Sequence, residues 1–169
     1  MSRGLGDVYK RQTVHETALI DLGNYNDAYP RMAELAEDWM ARYPSIQMVL
    51  DVHRDSLETD DGTQLALRAD VDGEACAKLL LVMGSNGSGL EHPGWRQNLA
   101  NAARLQALCE QRAPGLMRDL LLRASRYNQH LTPRSMLLEV GTAGNALEEA
   151  LRSADIFSQV LADCLLGKA

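Results

Sequence analysis

The sequence predicts an α/β fold organised around a buried sheet, and two observations carry that prediction. Three short runs, 46–52, 76–83 and 135–141, are largely apolar, as in strands that are buried on both faces of a parallel sheet. Segments with apolar residues at helical spacing precede and follow these runs, so that helices alternate with strands. At 169 residues the chain has the length of one domain.

The first predicted helix spans 28–42, where apolar residues recur at helical spacing. Asn26 or Asp27 can cap its start, because short polar side chains accept hydrogen bonds from the first backbone N–H groups. Pro44 ends it, since a helix rarely continues into the residue before a proline. The strand over 46–52 follows directly.

The middle of the chain is predicted to contain turns at 60–63 and 70–73, followed by one strand over 76–83. That strand runs into the glycine-rich segment 84–89. The segment lacks the spacing of a phosphate-binding loop or a dinucleotide site, so we expect a surface loop. A nucleotide-binding domain is therefore the weakest functional hypothesis.

The last third of the chain begins with a helix that 92–95 opens and Pro114 ends. The segment 116–124 fits either a helix or a strand. A strand over 135–141 follows, and Asn145 is predicted to cap a final amphipathic helix.

Composition and charge exclude several classes of protein. The net charge of −6 argues against nucleic acid as a partner, which would require a basic face. Cys76, Cys109 and Cys164 are far apart and form no Cys-x-x-Cys pair, so we expect small buried hydrophobic residues. The sequence has no membrane-spanning apolar run and no signal peptide. Residues 1–12 match no helix or strand pattern, and we interpret them as a non-native, adapter-derived segment.

Two of the predicted strands carry residues that could take part in catalysis or metal binding. The run before Asp51 ends in a His53-Arg54-Asp55 cluster, and the run 135–141 contains Glu139. Open α/β folds place their ligands at the carboxyl edge of the sheet, so His53 and Glu139 are expected to meet there. A histidine ligand with a separate carboxylate suits metal-assisted hydrolysis. The alternatives are a hydrogen-bonded histidine that caps the strand and an ion-paired or helix-capping Glu139.

The motif Asp51-Val52-His53-Arg54-Asp55 resembles the Asp-x-His-Arg-Asp motif of the stage II sporulation protein P family. Further matches to that family follow in the same order along the chain. They lie at 82–84, 95–99, 114–118, 127–129 and 138–141, with Asn145, Glu148 and Glu149 beyond them. The ordered set is specific, and it covers residues 14–166.

The resemblance implies an α/β three-layer sandwich, with helices on both faces of a mostly parallel sheet that is incomplete at its N-terminus. Residues 13–169 would form part of a zinc-dependent N-acetylmuramoyl-L-alanine amidase of the sporulation engulfment type. Such an enzyme hydrolyses the amide between the muramic lactyl group and L-alanine in peptidoglycan, and an endopeptidase activity on peptide cross-links accompanies it in the family. The implied partners are peptidoglycan and the sporulation protein D transglycosylase. The full-length parent would be extracytoplasmic and membrane-anchored.

Roles are carried over only where a motif matches. His53 corresponds to the third zinc ligand and Glu139 to the catalytic carboxylate. The remaining candidates are site-framing or substrate-binding groups: Arg54, Asn98, Arg118 and Asn128.

The sequence departs from the family at the first two zinc ligands, because it contains no His-Thr-His…Glu segment. We therefore expect one zinc ligand of three and an inactive chain. His15 is a weak substitute, and His92 and His130 are expected at the surface. The alternative function is a non-catalytic peptidoglycan-binding module, which would have no need for a buried carboxylate at Glu139.

Overall fold

A computed structural model describes residues 12–24 and 27–168 of the protein. The segment 1–11, which is most of the predicted adapter-derived segment, and the predicted cap Asn26 lie outside the described residues. The helices are α1 Ala28–Arg42, α2 Trp95–Arg112 and α3 Leu147–Leu165. The strands are β1 Leu50–Asp55, β2 Arg68–Val71, β3 Glu74–Ala77, β4 Leu79–Gly84, β5 Leu121–Arg123 and β6 Met136–Thr142.

Four strands form the main sheet in the order β1-β6-β4-β5. β1 is parallel to β6 and β4 is parallel to β5, whereas β4 and β6 are antiparallel. β2 and β3 form a separate antiparallel hairpin. Because two of the three pairings in the main sheet are parallel, the prediction of an α/β fold with a mostly parallel sheet is confirmed.

The two faces of the main sheet pack against different surroundings. On β4, Leu79, Leu81 and Met83 join a large apolar cluster, and we call their side of the sheet the core face. Leu80 and Val82 alternate with them and belong to a small separate cluster on the opposite side, which we call the site face. Helices α2 and α3 both pack on the core face, to which they contribute Ala102, Leu105, Cys109, Ala150, Phe157, Val160 and Leu161.

Helix α1 lies at the end of the sheet where β1 and β6 begin. Its residues Met32 and Ala36 line a small pocket together with Leu50 of β1 and Met136 of β6. Its observed bounds equal the predicted ones, so this helix is confirmed. Among the described residues, no helix combines the length and the apolar character that crossing a membrane requires.

The structure corrects the strand predicted over 76–83. The run is divided at Lys78 into β3 and β4. The Lys78 N–H donates to the Leu67 carbonyl at 2.9 Å, and the Lys78 carbonyl accepts from the Gly141 N–H at 3.1 Å. The chain therefore changes from the hairpin to the main sheet at this residue. The open assignment of 116–124 is resolved as a loop followed by the short strand β5.

The predicted cap of the last helix is also wrong, by one position. Ala146 is the N-cap residue of α3, and the Glu149 carboxylate accepts its backbone N–H at 3.1 Å. Asn145 accepts the Thr142 N–H at 2.9 Å and donates to Glu149 at 2.8 Å. Hydrogen bonds from Arg68 and from Asn145 lower the pKa of Glu149 to about 2.

Candidate functional site

The site face carries the residues that the sequence singled out. Asp51, His53 and Asp55 alternate along β1, so their side chains leave the same side of the strand. In the parallel pairing of β1 with β6, His53 lies opposite Glu139. The structure thus brings the predicted ligand and the predicted carboxylate together. Glu139 lies in the middle of β6 and not at its end, because the strand continues to Thr142.

A bulge follows this pair of residues. From His53 to Asp55 the strand β1 advances by two residues, while β6 advances by three, from Glu139 to Thr142. The extra length includes Gly141, whose φ of +73° is a conformation that other residues rarely adopt. A Cβ atom there would also approach the Ala77 Cβ to 2.7 Å. The glycine of the 138–141 motif therefore has a backbone role beside the candidate site.

His53 is held by its neighbour along the strand. Its Nε2 lies 2.9 Å from Asp51 Oδ1, in a hydrogen bond that the imidazole donates to the carboxylate. This hydrogen bond is the main cause of the raised pKa of His53, and the Asp51 and Glu139 charges add to it while burial opposes it. With Nε2 as the donor, the neutral ring keeps its lone pair on Nδ1. Asp51 was not among the predicted site residues, although the alternation Asp51, His53, Asp55 in a strand was the signal for it.

Glu139 has an unusual environment for a carboxylate. Its Oε2 atom is buried and has no hydrogen-bond partner among the described residues. Burial raises the pKa of Glu139 above the usual 4.5, and Asp55 and Asp51 add to the rise, whereas His53 and Arg118 oppose it. A carboxyl group whose pKa is shifted towards neutrality can both take up and release a proton during a reaction.

Arg118 joins this group through an ion pair. Its Nη1 lies 2.5 Å from Asp55 Oδ2, and each of the two side chains is about a quarter exposed. The charge of Arg118 also lowers the pKa of Glu139, so the guanidinium lies near the candidate site. Of the four predicted site-framing residues, Arg118 is the one whose ion pair is with a residue of the site face, Asp55.

Arg54 points away from this group. Its Nη2 donates to the backbone carbonyls of Thr142 at 2.7 Å and of Asn145 at 2.6 Å. These contacts fasten the end of β1 to the turn that leads from β6 into α3. The observed role of Arg54 is therefore to hold the backbone beside the site, and a role towards substrate stays a prediction.

Asn98 and Asn128 lie at the other end of β6. The fully buried Asn98 amide donates to three carbonyls within the segment 126–135 that connects β5 to β6, at 2.7 to 3.2 Å. We call this segment the connection 126–135. Asn128 donates to the Tyr29 carbonyl of α1 at 2.7 Å. This connection leads into the start of β6, three residues before Glu139, whereas the bulge lies near the other end of the strand. The structure does not bring these two asparagines to the His53–Glu139 pair, and their predicted substrate roles stay untested.

The remaining histidines are also placed. His15 is exposed, but the expectation that His92 lies at the surface is wrong, because its residue is 2% exposed. His130 is partly buried. A hydrogen bond from Arg126 to the Glu91 carbonyl, at 3.1 Å, joins the turn before α2 to the connection 126–135, and these two segments are far apart in sequence. No local pattern reports such a contact.

The donor groups of the described residues do not complete a zinc site. Within residues 12–24 and 27–168, no three or more His, Cys, Asp or Glu side chains are arranged to hold a metal ion. His53 contributes one imidazole, and its neighbours are committed elsewhere: Asp51 binds the imidazole itself and Asp55 binds Arg118. A structural zinc site has four protein ligands and a catalytic one has three.

Comparison with known proteins gives one consistent result. The sequence profile described as stage II sporulation protein P (SpoIIP) matches residues 1–162. A curated relative, stage II sporulation protein P of Bacillus subtilis (strain 168), is 30% identical over 171 residues. The alignment covers 96% of this chain and 40% of the relative, so the chain spans about two fifths of that protein. No solved structure gives a significant match. The chain belongs to the stage II sporulation protein P family.

Proposed function

We propose that this chain is part of a zinc-dependent N-acetylmuramoyl-L-alanine amidase that acts on peptidoglycan during sporulation. The single observation that carries the proposal is the unpartnered, buried Glu139 carboxyl opposite His53. Family membership supports a role in sporulation. The amide bond, the zinc, the extracytoplasmic location and the partnership with a sporulation protein D transglycosylase are parts of the proposal.

Glu139 would act as the catalytic acid and base. Hydrolysis of an amide needs a group that takes a proton from the attacking water and later delivers it to the leaving amine. A carboxyl group with a raised pKa suits both steps, since it gives up its proton more easily than water and holds it more tightly than an ordinary glutamate. Such a group contributes about 10²- to 10⁴-fold to the rate.

His53 would be one zinc ligand among several. The Asp51 carboxylate fixes the ring by binding Nε2, which leaves Nδ1 as the metal-binding atom. A carboxylate behind a ligating histidine is a recurrent arrangement in zinc sites. Because the described residues supply a single imidazole, the other ligands would come from elsewhere in the longer protein, and no reaction step on zinc follows from this chain.

The alternative is a module that binds peptidoglycan without cutting it. A binding surface gains nothing from a buried carboxyl oxygen without a partner, since such a group costs free energy. Selection for binding alone would favour a glutamine, an apolar residue or a partner for Glu139. The amidase is therefore the better-supported proposal.

The experiment that tests the proposal compares this chain with a version extended to the length of the curated relative. Both are analysed for bound zinc and incubated with purified peptidoglycan, and the released peptides are identified by mass spectrometry. The extended protein is expected to bind zinc and to release peptides with a free N-terminal alanine. His53→Ala should lose both properties, and the exposed His15→Ala should keep them.

Three results would contradict parts of this proposal. An extended protein that binds peptidoglycan but releases nothing would favour the binding module. Release of peptides cut within the cross-link, with the alanine still attached to muramic acid, would indicate an endopeptidase. Hydrolysis by the short chain would show that its own residues suffice for the reaction.

A further inference from the structure

Two further histidines, His92 and His130, lie in an environment that disfavours charge. His92 is 2% exposed, and neither of its ring nitrogens has a hydrogen-bond partner among the described residues. Nδ1 of His130 is likewise buried without a partner. A neutral imidazole leaves one N–H and one lone pair unsatisfied in such a place, but an imidazolium would bury an unpaired charge, which costs much more.

The charged groups around the pair add to this effect. Burial lowers the pKa of His92 first, and the nearby His130 and Arg126 lower it further. Burial and Arg126 also lower the pKa of His130, while Glu37 of α1 opposes them. Arg126 is fixed there, because its Nη1 donates to the Glu91 carbonyl at 3.1 Å. The neutral form of both rings is therefore the form that fits the fold.

His130 lies in the connection 126–135, which is hydrogen-bonded to two helices and to the main sheet. The connection 126–135 is tied to α2 through Asn98 and to α1 through Asn128. Its Gln129 side chain accepts the Gly84 N–H and donates to the Val82 carbonyl of β4, both at 2.8 Å. The connection then enters β6, which carries the candidate site. Opening of this connection would therefore affect the start of β6, the strand that carries Glu139, without any change in the site residues themselves.

We propose that the buried, unpartnered ring nitrogens of His92 and His130 form a pH-sensitive lock where the Arg126–Glu91 hydrogen bond joins the turn before α2 to the connection 126–135. With both rings neutral the lock is closed, and a proton on either ring opens it by introducing an unpaired charge beside Arg126. The lock does not depend on the amidase proposal. The unfolded histidine has a pKa of 6.5, so a depressed pKa makes the closed state lose stability as the pH falls below 6.5.

Hydrogen exchange followed by mass spectrometry tests the lock on the whole chain, between pH 7 and 5 with EDTA present. Peptides covering 126–135 report the opening constant after correction for intrinsic exchange. We expect that constant to rise about tenfold per pH unit for each proton taken up below pH 6.5. The double variant His92→Gln, His130→Gln should show no such rise, and the control variant His15→Gln should behave as the wild type.

Ring ¹⁵N chemical shifts of the wild-type protein provide a second measurement, should the double variant not fold. The His92 ring is expected to remain neutral at pH 6.5, because its pKa lies below that value. A His92 ring that takes up its proton at or above pH 6.5, or an opening constant that does not change with pH, would overturn the lock.

Discussion

The two faces of the main sheet are built from neighbouring residues of the same strands, yet they are used differently. The core face packs α2 and α3 against Leu81, Met83 and their neighbours and contains most of the buried apolar residues. The site face has three buried apolar residues in its cluster, and it carries His53 and Glu139. A shift of one residue along a strand separates the two, because successive side chains point to opposite sides.

The groups of the main sheet that lower the stability of the fold lie on its site face. The unpartnered oxygen of Glu139 and the repulsion between its charge and those of Asp51 and Asp55 cost stability. The core face compensates for that cost. We therefore expect substitutions on the core face to lower stability, and substitutions on the site face to change proton chemistry while leaving the fold nearly as stable.

The largest effect on stability is expected from Leu81→Ala on the core face. Leu81 is fully buried in the large cluster, so the substitution leaves a cavity and should cost about 2–5 kcal/mol. Denaturant unfolding measures this cost. Val52→Ala on β1 is the control, because Val52 is 60% exposed and its loss should change stability by under about 0.5 kcal/mol. Equal effects of the two would contradict the placement of Leu81 in the buried core.

Asn98→Ala is expected to have the next largest effect. The substitution removes three hydrogen bonds to the connection 126–135 and leaves buried carbonyls without donors, at a cost of about 1–3 kcal/mol. The exposed Gln97→Ala, one residue earlier on α2, is the matched control. If Asn98→Ala kept full stability and only weakened peptidoglycan binding by the longer protein, the substrate role predicted from the sequence would be right.

Asp51→Asn should change the proton affinity of His53 most, and it also removes one of the charges that raise the pKa of Glu139. An amide replaces the carboxylate that accepts the Nε2–H, so the pKa of His53 falls. In the wild type this raised pKa adds stability that is complete below pH 6.5 and is lost as the pH rises through the folded value. The variant should lack that contribution, which a ring titration by NMR and unfolding at several pH values would detect. Asp38→Asn, at an exposed ion pair of α1, should leave His53 unchanged.

The smallest effect on stability is expected from Glu139→Gln. The raised pKa of Glu139 means that the folded state favours its protonated form, so this residue destabilises the fold increasingly above pH 4.5. The variant should therefore equal the wild type below that pH and exceed it slightly at neutral pH, by under about 2 kcal/mol. A loss of stability at neutral pH would show that the carboxylate has a partner that holds the fold.

Local patterns accounted for the parts of the fold that depend on short stretches of sequence. Apolar spacing and Pro44 defined α1, and an apolar run pointed to β6. The strand predicted over 46–52 was placed too early, because β1 spans Leu50–Asp55, and it is not buried on both faces, since Val52 is exposed. The meeting of β1 and β6 at His53 and Glu139 was also predictable, because parallel neighbouring strands carry equivalent positions side by side.

Tertiary contacts decided the rest. The antiparallel orientation of β4, the division at Lys78 and the burial of His92 all depend on segments that are distant along the chain. Arg54 stood in the same motif as His53. Strand alternation already places it on the opposite side, and the fold adds that it binds backbone carbonyls. The sequence motif therefore combined a residue of the candidate site with a residue that supports it.

The most direct test of the central claim is the rate of peptide release from peptidoglycan by the extended protein carrying Glu139→Gln. Glu148→Gln, an exposed residue in the first turn of α3, is the matched control, and bound zinc is measured in both variants. We expect Glu139→Gln to keep its zinc and its stability and to lose at least about 10²-fold in rate, while the control keeps the wild-type rate. A Glu139→Gln variant that releases peptides at the wild-type rate would contradict the assignment of the catalytic carboxylate.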